Sequence, residues 1–229
     1  MDKFTLQTKL AERGCYTGPI DGLYGSGTRS AVMDCLECGA DNPVTDADLD
    51  HAAGLLGVGR AEVLTVRSVE AAGAGFQAGL PKILFEPHRF SKLTKRRFDA
   101  SHPAISYPGW GDRPYPKSQA GRYEQLVTAV GLDVDAGFAA ASYGSFQILG
   151  ENAGVCGYPS SFAFAMAQAQ SEGDQLEAFV RFCKSKGLDK ALQRHDWATF
   201  ARGYNGSAYA KNAYDVKLAD AFRRFAGRL

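Results

Sequence analysis

The chain has 229 residues and lacks the residues that would place it in several large functional classes. Its four histidines are scattered, and none stands at HxxxH or HExxH spacing, which argues against a zinc peptidase or amidase. No run of 18 apolar residues occurs, so no membrane-spanning helix is expected. Residues Met1 to Glu12 are amphipathic and carry no apolar signal core. Synthesis in the cytoplasm without an export signal of its own is therefore expected. Cysteine is sparse and odd in number, with five residues, which fits a reducing compartment. Cys35 and Cys38 form a CxxC inside a helical pattern, with no second pair nearby to complete a zinc site. They read as structural thiols. Cys156 and Cys183 stand in no motif with a histidine, so a cysteine peptidase is not indicated. No cofactor and no metal are expected.

What is present is material for a core: 45% hydrophobic residues, with 14 Phe and 10 Tyr. The formal charge of +1 hides an asymmetry. Residues 1–56 carry 4 Lys/Arg against 9 Asp/Glu, and residues 57–229 carry 22 against 16. Two units with different tasks are expected, divided near residue 56. A basic larger unit suits a polyanionic target, for which nucleic acid and bacterial cell wall both qualify.

In the first unit, Phe4, Leu6 and Leu10 place a helix over 4–13, stopped by Gly14. Gly18-Pro19-Ile20-Asp21-Gly22-Leu23-Tyr24-Gly25 reads as a compact turn-rich loop. Thr28 can cap a second helix running through Cys38. A third fits Thr45 to Leu56. Leu6-Gln7, Leu10, Gly14, the 18–25 loop, Thr28 and Ala31-Val32 together resemble the three-helix peptidoglycan-binding module. That resemblance implies wall binding, with Asp21 and Tyr24 as candidate contacts. Read without it, Asp21, Gly22, Gly25 and Thr28 only build the fold.

In the second unit, Gly57-Val58-Gly59 reads as a hinge-like joint, followed by a helix from about Arg60 to Ala72. Leu80 to Phe90 reads as a strand entering a small hairpin. Residues 99–118 form a Pro-, Gly- and aromatic-rich loop in which Trp110, Tyr107 and Tyr115 could stack on sugars or pack the loop. Helices are predicted near 119–130, 134–142, 145–152, 160–170, 172–186, 188–203 and 213–227. The fold class is mainly α: a small three-helix N-terminal bundle plus a lysozyme-like helical domain with a small β-hairpin.

Glu70 shares a helical face with Val63 and Val66 and lies in the helix's last turn. Burial and the helix dipole would both raise its pKa, as a general acid requires. The motifs around it are Ser68-Val69-Glu70-Ala71-Ala72-Gly73, then Pro81-Lys82-Ile83-Leu84-Phe85-Glu86-Pro87-His88, then Ala141-Ser142-Tyr143-Gly144-Ser145-Phe146-Gln147-Ile148, then Phe200-Ala201-Arg202-Gly203-Tyr204-Asn205-Gly206. In this order they resemble the N-acetylmuramidase domain of phage endolysins, and more widely goose-type lysozymes and lytic transglycosylases.

The resemblance implies Glu70 as the catalytic acid. Gln147 would bond an acetamido group or the leaving sugar, and Tyr204 would position the Glu70 carboxyl. Ser142, Tyr143, Phe146, Asn205 and His88 would line the substrate site. Glu86 competes with Glu70. With His88 it is placed on one strand face, where it could activate water, bind sugar or pair with Arg89, Lys92 or Arg96. The expected activity is hydrolysis of the β-1,4 bond between N-acetylmuramic acid and N-acetylglucosamine by a monomer acting on bacterial peptidoglycan, with neither nucleic acid nor membrane as partner. Lytic transglycosylation with the same Glu is one alternative, and a non-catalytic wall- or nucleic-acid-binding protein is another.

Overall fold

The computed structural model describes residues 1–37, 42–71 and 74–227, with side chains omitted for residue 71. Cys38 falls outside the described residues, as does the expected helix stop at Gly73.

Three helices open the chain: α1 (Lys3–Glu12), α2 (Ser26–Leu36) and α3 (Asp46–Leu56). Asp2 caps α1 by accepting the Thr5 N–H, and Thr45 with Asp48 forms a reciprocal capping box on α3. Leu6, Leu10, Val32 and Leu36 are buried where α1 packs on α2, while α3 buries Leu49 and Leu56 as it packs on two later helices, over residues 60–71 and 172–185. Thr28 does not cap α2: the helix starts two residues earlier, after Gly25, and Thr28 sits buried in its first turn. The Thr28 hydroxyl instead accepts from Gln7 Nε2 at 3.1 Å. The thiol assignment is also corrected, because Cys35 is joined to Cys15 in a disulfide. The bridge closes a 20-residue separation and ties the end of α1 to α2 across the loop. Such a closure is worth about 3 kcal/mol through the unfolded chain. Pairing across 20 residues is a tertiary event that the adjacent CxxC spacing obscures.

Gly57, left-handed at φ 67, ends α3, and α4 (Arg60–Ala71) follows. A two-residue turn through Ala78 and Gly79, both at positive φ, joins β1 (Phe76–Gln77) to β2 (Leu80–Pro81). The expected strand over 80–90 is shorter and changes type. β3 (Ile83–Phe85) ends at Glu86, and Pro87 starts a helix, α5 (Pro87–Leu93), because proline's fixed φ suits the first helical position. Eight-tenths of the rest is helical or turn: α6 (Gln119–Leu132), α7 (Val134–Ala139), α8 (Ser161–Gln168), α9 (Glu172–Ser185), α10 (Asp189–Gln193), α11 (Trp197–Asn205) and α12 (Tyr214–Ala226) are the helices.

Two predicted helices fail. Residues 145–152 form a turn, strand β5 (Ile148–Leu149) and a 3₁₀ turn, since Gly144 and Gln147 both adopt positive φ. Strand β4 (Ala141–Tyr143) pairs antiparallel with β3 on one side and β5 on the other, with Ser142 opposite Leu84 and Leu149. The helix expected over 188–203 is broken at His195, which has φ 54.

Helix α4 packs along α12, and one hydrophobic cluster runs from Leu6 and Leu10 through Val63, Val66, Phe179 and Phe200 to Leu218. The joint at 57–59 is no hinge. Gln193 Nε2 donates to Leu56 O at 2.6 Å, and Gly59 N–H donates to Glu62 Oε2 at 3.0 Å. Further along the same boundary, Tyr24 Oη donates to Val127 O at 2.8 Å and Val44 N–H to Glu172 Oε2 at 3.0 Å. Among the described residues, no helix is long and apolar enough to cross a membrane.

Candidate active site

Helix α4 carries its apolar stripe, Val63 and Val66, fully into the core. The same periodicity brings Glu70, seven residues after Val63, to the edge of that core in the last turn. There its side chain faces an open cleft of about 580 Å³, which Glu86, His88, Ser142, Gln147 and Asn205 also line. Burial pushes the Glu70 carboxyl up to about 7. Two groups moderate the shift: Asn205, whose Nδ2 donates to Glu70 Oε1 at 2.9 Å, and the positive charge of Lys217 on α12. The opposite side of the Asn205 amide, Oδ1, is buried with no hydrogen-bond partner among the described residues.

Glu86 is not on a strand face. It precedes α5 at the point where the chain leaves β3, and His88 lies in the first turn of that helix. The two still meet, with His88 Nδ1 3.1 Å from Glu86 Oε2. Tyr115 Oη donates to Glu86 Oε2 at 2.9 Å. Burial raises the Glu86 carboxyl, while the Tyr115 bond and Arg89 hold it down. Burial and Arg89 lower the His88 imidazole. Arg89 itself is paired with Glu151.

Gln147 reaches the cleft from a backbone at φ 48, a conformation that a side-chain-bearing residue seldom adopts. Its amide is already held. Nε2 donates to Gly144 O at 2.8 Å and to Lys82 O at 3.1 Å, and Oε1 accepts from Ser142 Oγ at 2.9 Å. Both donors expected for a sugar are thus committed to the loop that shapes the cleft, and Ser142 acts on Gln147.

Tyr204 also departs from expectation. Its hydroxyl donates to Phe146 O at 2.6 Å, and its ring packs among Phe179, Phe182 and Phe200. The group that holds the Glu70 carboxyl is the next residue, Asn205. Tyr143 and Phe146 do not line the cleft. Tyr143 is fully buried, donating to Phe138 O at 3.0 Å, and Phe146 stacks on Phe179 with ring centroids 4.4 Å apart.

Of the loop aromatics, Trp110 lines the cleft at 55% exposure, Tyr115 is held by Glu86 and Tyr107 is buried. Tyr209 and Tyr214 line the cleft as well, and sequence reasoning had given them no role. Their position within ten residues of the Tyr204-Asn205-Gly206 motif is the available signal. In the N-terminal helices, Asp21 Oδ1 accepts from Gln7 Nε2 and from its own turn at Leu23 N–H, and Tyr24 is committed to Val127. The groove there is lined by Asp21 together with Tyr16, Pro19 and the 70%-exposed Leu23, and Tyr24 is not among its lining residues.

A helix-borne carboxyl, buried at its base and open to a long cleft walled by a small sheet, sets up acid catalysis on an extended substrate. Residues 59–226 match the family model of N-acetylmuramidases, and residues 4–35 match that of a peptidoglycan binding domain. The crystal structure of the Burkholderia AP3 phage endolysin is similar throughout: 38% identity, a TM-score of 0.72, and coverage of 99% of this chain and 95% of that one. No curated protein sequence matches. The protein is therefore a glycoside hydrolase of lysozyme-like architecture. It belongs to the N-acetylmuramidase family, joined to an N-terminal peptidoglycan-binding domain in the manner of phage endolysins, and its activity is that of a peptidoglycan hydrolase.

Proposed function

We propose that the chain hydrolyses the β-1,4 bond between N-acetylmuramic acid and N-acetylglucosamine, with Glu70 as general acid, and lyses the bacterial wall as an endolysin. The observation that carries this reading is the Glu70 carboxyl, raised to about 7 by burial yet open to the cleft. At neutral pH a large fraction of it holds its proton. That proton passes to the glycosidic oxygen as the bond to the anomeric carbon breaks, leaving a carboxylate that the Asn205 amide and Lys217 stabilise. Water then supplies the new bond at the anomeric carbon. Glu86 enters the cleft from a different element and is the second carboxylate. Burial raises its carboxyl above the usual carboxylate range, and the bond from Tyr115 and the nearby Arg89 moderate that rise; in its ionised form it is the group placed to take a proton from the attacking water. Trp110 offers a ring face to a sugar. Residues 1–56 tether the enzyme to the wall through the groove around Leu23, while residues 57–229 perform the chemistry. The enzyme works as a monomer, made in the host cytoplasm and reaching the wall after release.

The test is digestion of purified wall by the wild type, Glu70→Gln and Glu86→Gln, with product masses read by spectrometry. The wild type is expected to give reducing-end sugars, and Glu70→Gln to lose about 10²–10⁴-fold in rate. Products one water lighter would make the reaction a transglycosylation. A Glu70→Gln enzyme near wild-type rate beside an inactive Glu86→Gln would move the acid to Glu86.

A further inference from the structure

The substrate groove does not end at the acid. Glu70 and Gln147 also face a second hollow, of about 730 Å³, so the two spaces meet at the catalytic carboxyl. A linear polymer cut in its interior must leave the acid on both sides, and this hollow is the second way out. One of its walls comes from the N-terminal helices, through Arg29 and Met33 of α2, and another from the start of α6 and the residues before it, through Lys117 and Arg122. The walls are fixed to each other by the Tyr24 Oη bond to Val127 O and by the Arg29–Glu124 ion pair.

The two spaces differ in charge. The cleft beyond Glu70 holds two carboxylates, Glu86 and Glu151, against two cations, Arg89 and Lys186, with Arg89 paired to Glu151, so its charges balance. In the second hollow Glu124 is matched by Arg29, which leaves the cations in excess. Among the described residues no carboxylate lies within ion-pair distance of Lys117 or Arg122. Arg122 donates only to carbonyls, Nε to Pro116 O and Nη1 to Ile83 O, each at 3.1 Å, which fixes the guanidinium without cancelling its charge. A neutral sugar ring has no use for two such cations. Peptidoglycan strands, however, bear short acidic peptides along their length.

We propose that this hollow binds the acidic stem peptide of the strand being cut, with Lys117 and Arg122 holding its carboxylates and α2 forming the facing wall. The inference rests on the reading of the enzyme as a peptidoglycan hydrolase acting at Glu70. It makes the N-terminal helices part of the substrate groove as well as a tether. It also makes the enzyme selective for glycan that still carries its peptides.

The test compares two substrates: soluble glycan strands bearing their peptides, and the same strands after enzymatic removal of the peptides. Lys117 is exposed and takes part in no hydrogen bond or ion pair among the described residues, so Lys117→Glu is expected to fold. The wild type is expected to show a KM roughly three- to tenfold lower on the peptide-bearing strands, the range of one or two exposed charge pairs. That preference should shrink with added salt. Lys117→Glu should raise KM on peptide-bearing strands by a similar factor, leave KM on stripped strands and kcat on both unchanged, and be rescued by Lys117→Arg. Equal KM values for the wild type on the two substrates would overturn the proposal while leaving the muramidase reading intact, as would a Lys117→Glu defect of the same size on both. Failure of the wild type to cut either strand would remove that reading and this inference together.

Discussion

Two polar side chains set against the core, the buried Gln7 in the N-terminal helices and the half-buried Glu70 on α4, show how differently one fold can treat the same physical problem. Gln7 is fully buried and fully partnered. Its Oε1 accepts the N–H groups of Asp21 and Gly22 at 3.0 and 2.7 Å, and its Nε2 lies within hydrogen-bond distance of Asp21 Oδ1, Leu23 O and Thr28 Oγ1. One amide thereby shapes the whole 18–25 loop. Glu70 is only half-closed off, and among the described residues it has one hydrogen bond, from Asn205, whose amide oxygen has none. A saturated node stabilises, because every group it replaces in water finds a partner. An under-satisfied one leaves its energy to be recovered by a ligand or a proton.

The largest expected effect breaks the comparison at Glu70. Glu70→Gln removes the proton donor, and the lysis rate falls by the two to four decades given above, yet the fold should gain. The carboxyl titrates near 4.5 in the unfolded chain and at about 7 in the folded one, so the native state binds this proton more tightly. Its contribution to stability is complete below pH 4.5 and lost as pH rises through about 7. At about 1.4 kcal/mol per pH unit, the ionised carboxyl burdens the native state by at most roughly 3 kcal/mol at pH 8, less whatever the cleft's water recovers. Thermal melts at pH 5 and pH 8 check this: the Gln variant should be the more stable at pH 8. A variant less stable than wild type there contradicts the burial of the acid.

The mirror experiment is Gln7→Leu, which keeps the volume and strands the N–H groups of Asp21 and Gly22. It should cost about 2–4 kcal/mol in denaturant unfolding. The kcat on soluble glycan should stay at the wild-type value, and a matching loss of kcat would show that the loop serves catalysis directly. The smallest effect comes from Asn205→Ala. The bond it removes favours the ionised carboxyl, so the Glu70 pKa should rise further, and the alkaline limb of the kcat/KM profile should move to higher pH. A limb that moves to lower pH would mean that Asn205 holds the protonated form instead.

Much of this molecule was legible in its periodicities. The apolar spacing of Val63, Val66 and Glu70 placed the acid on a helix with its base in the core, and caps such as Thr45 marked where helices begin. The parts that stayed hidden depend on contacts distant in sequence. Tyr143 and Phe146 lie within a dense motif, and nothing local distinguishes an aromatic that packs on Phe164 or Phe179 from one that stacks on a sugar. Tyr204 and Asn205 are neighbours on α11, a hundred degrees apart around the helix, so one residue decides which side chain enters the core and which meets Glu70. The segment 145–152 is expected to be helical, but left-handed Gly144 and Gln147 break it into a turn, the short strand β5 and a 3₁₀ turn.

The continuous core described above bears on how such enzymes can be recombined. Helices α2 and α3 lie on α6 and α9, and Glu172 joins Val44, Arg67 and the Gly75 N–H in one cluster of bonds. A chimaera that exchanges the first 56 residues for an unrelated wall-binding module would lose those partners and uncover the faces of α6 and α9 on which α2 and α3 pack. Retargeting this enzyme therefore calls for redesign of the exposed face around Ile20 and Leu23 on the existing helices, with the seam left untouched.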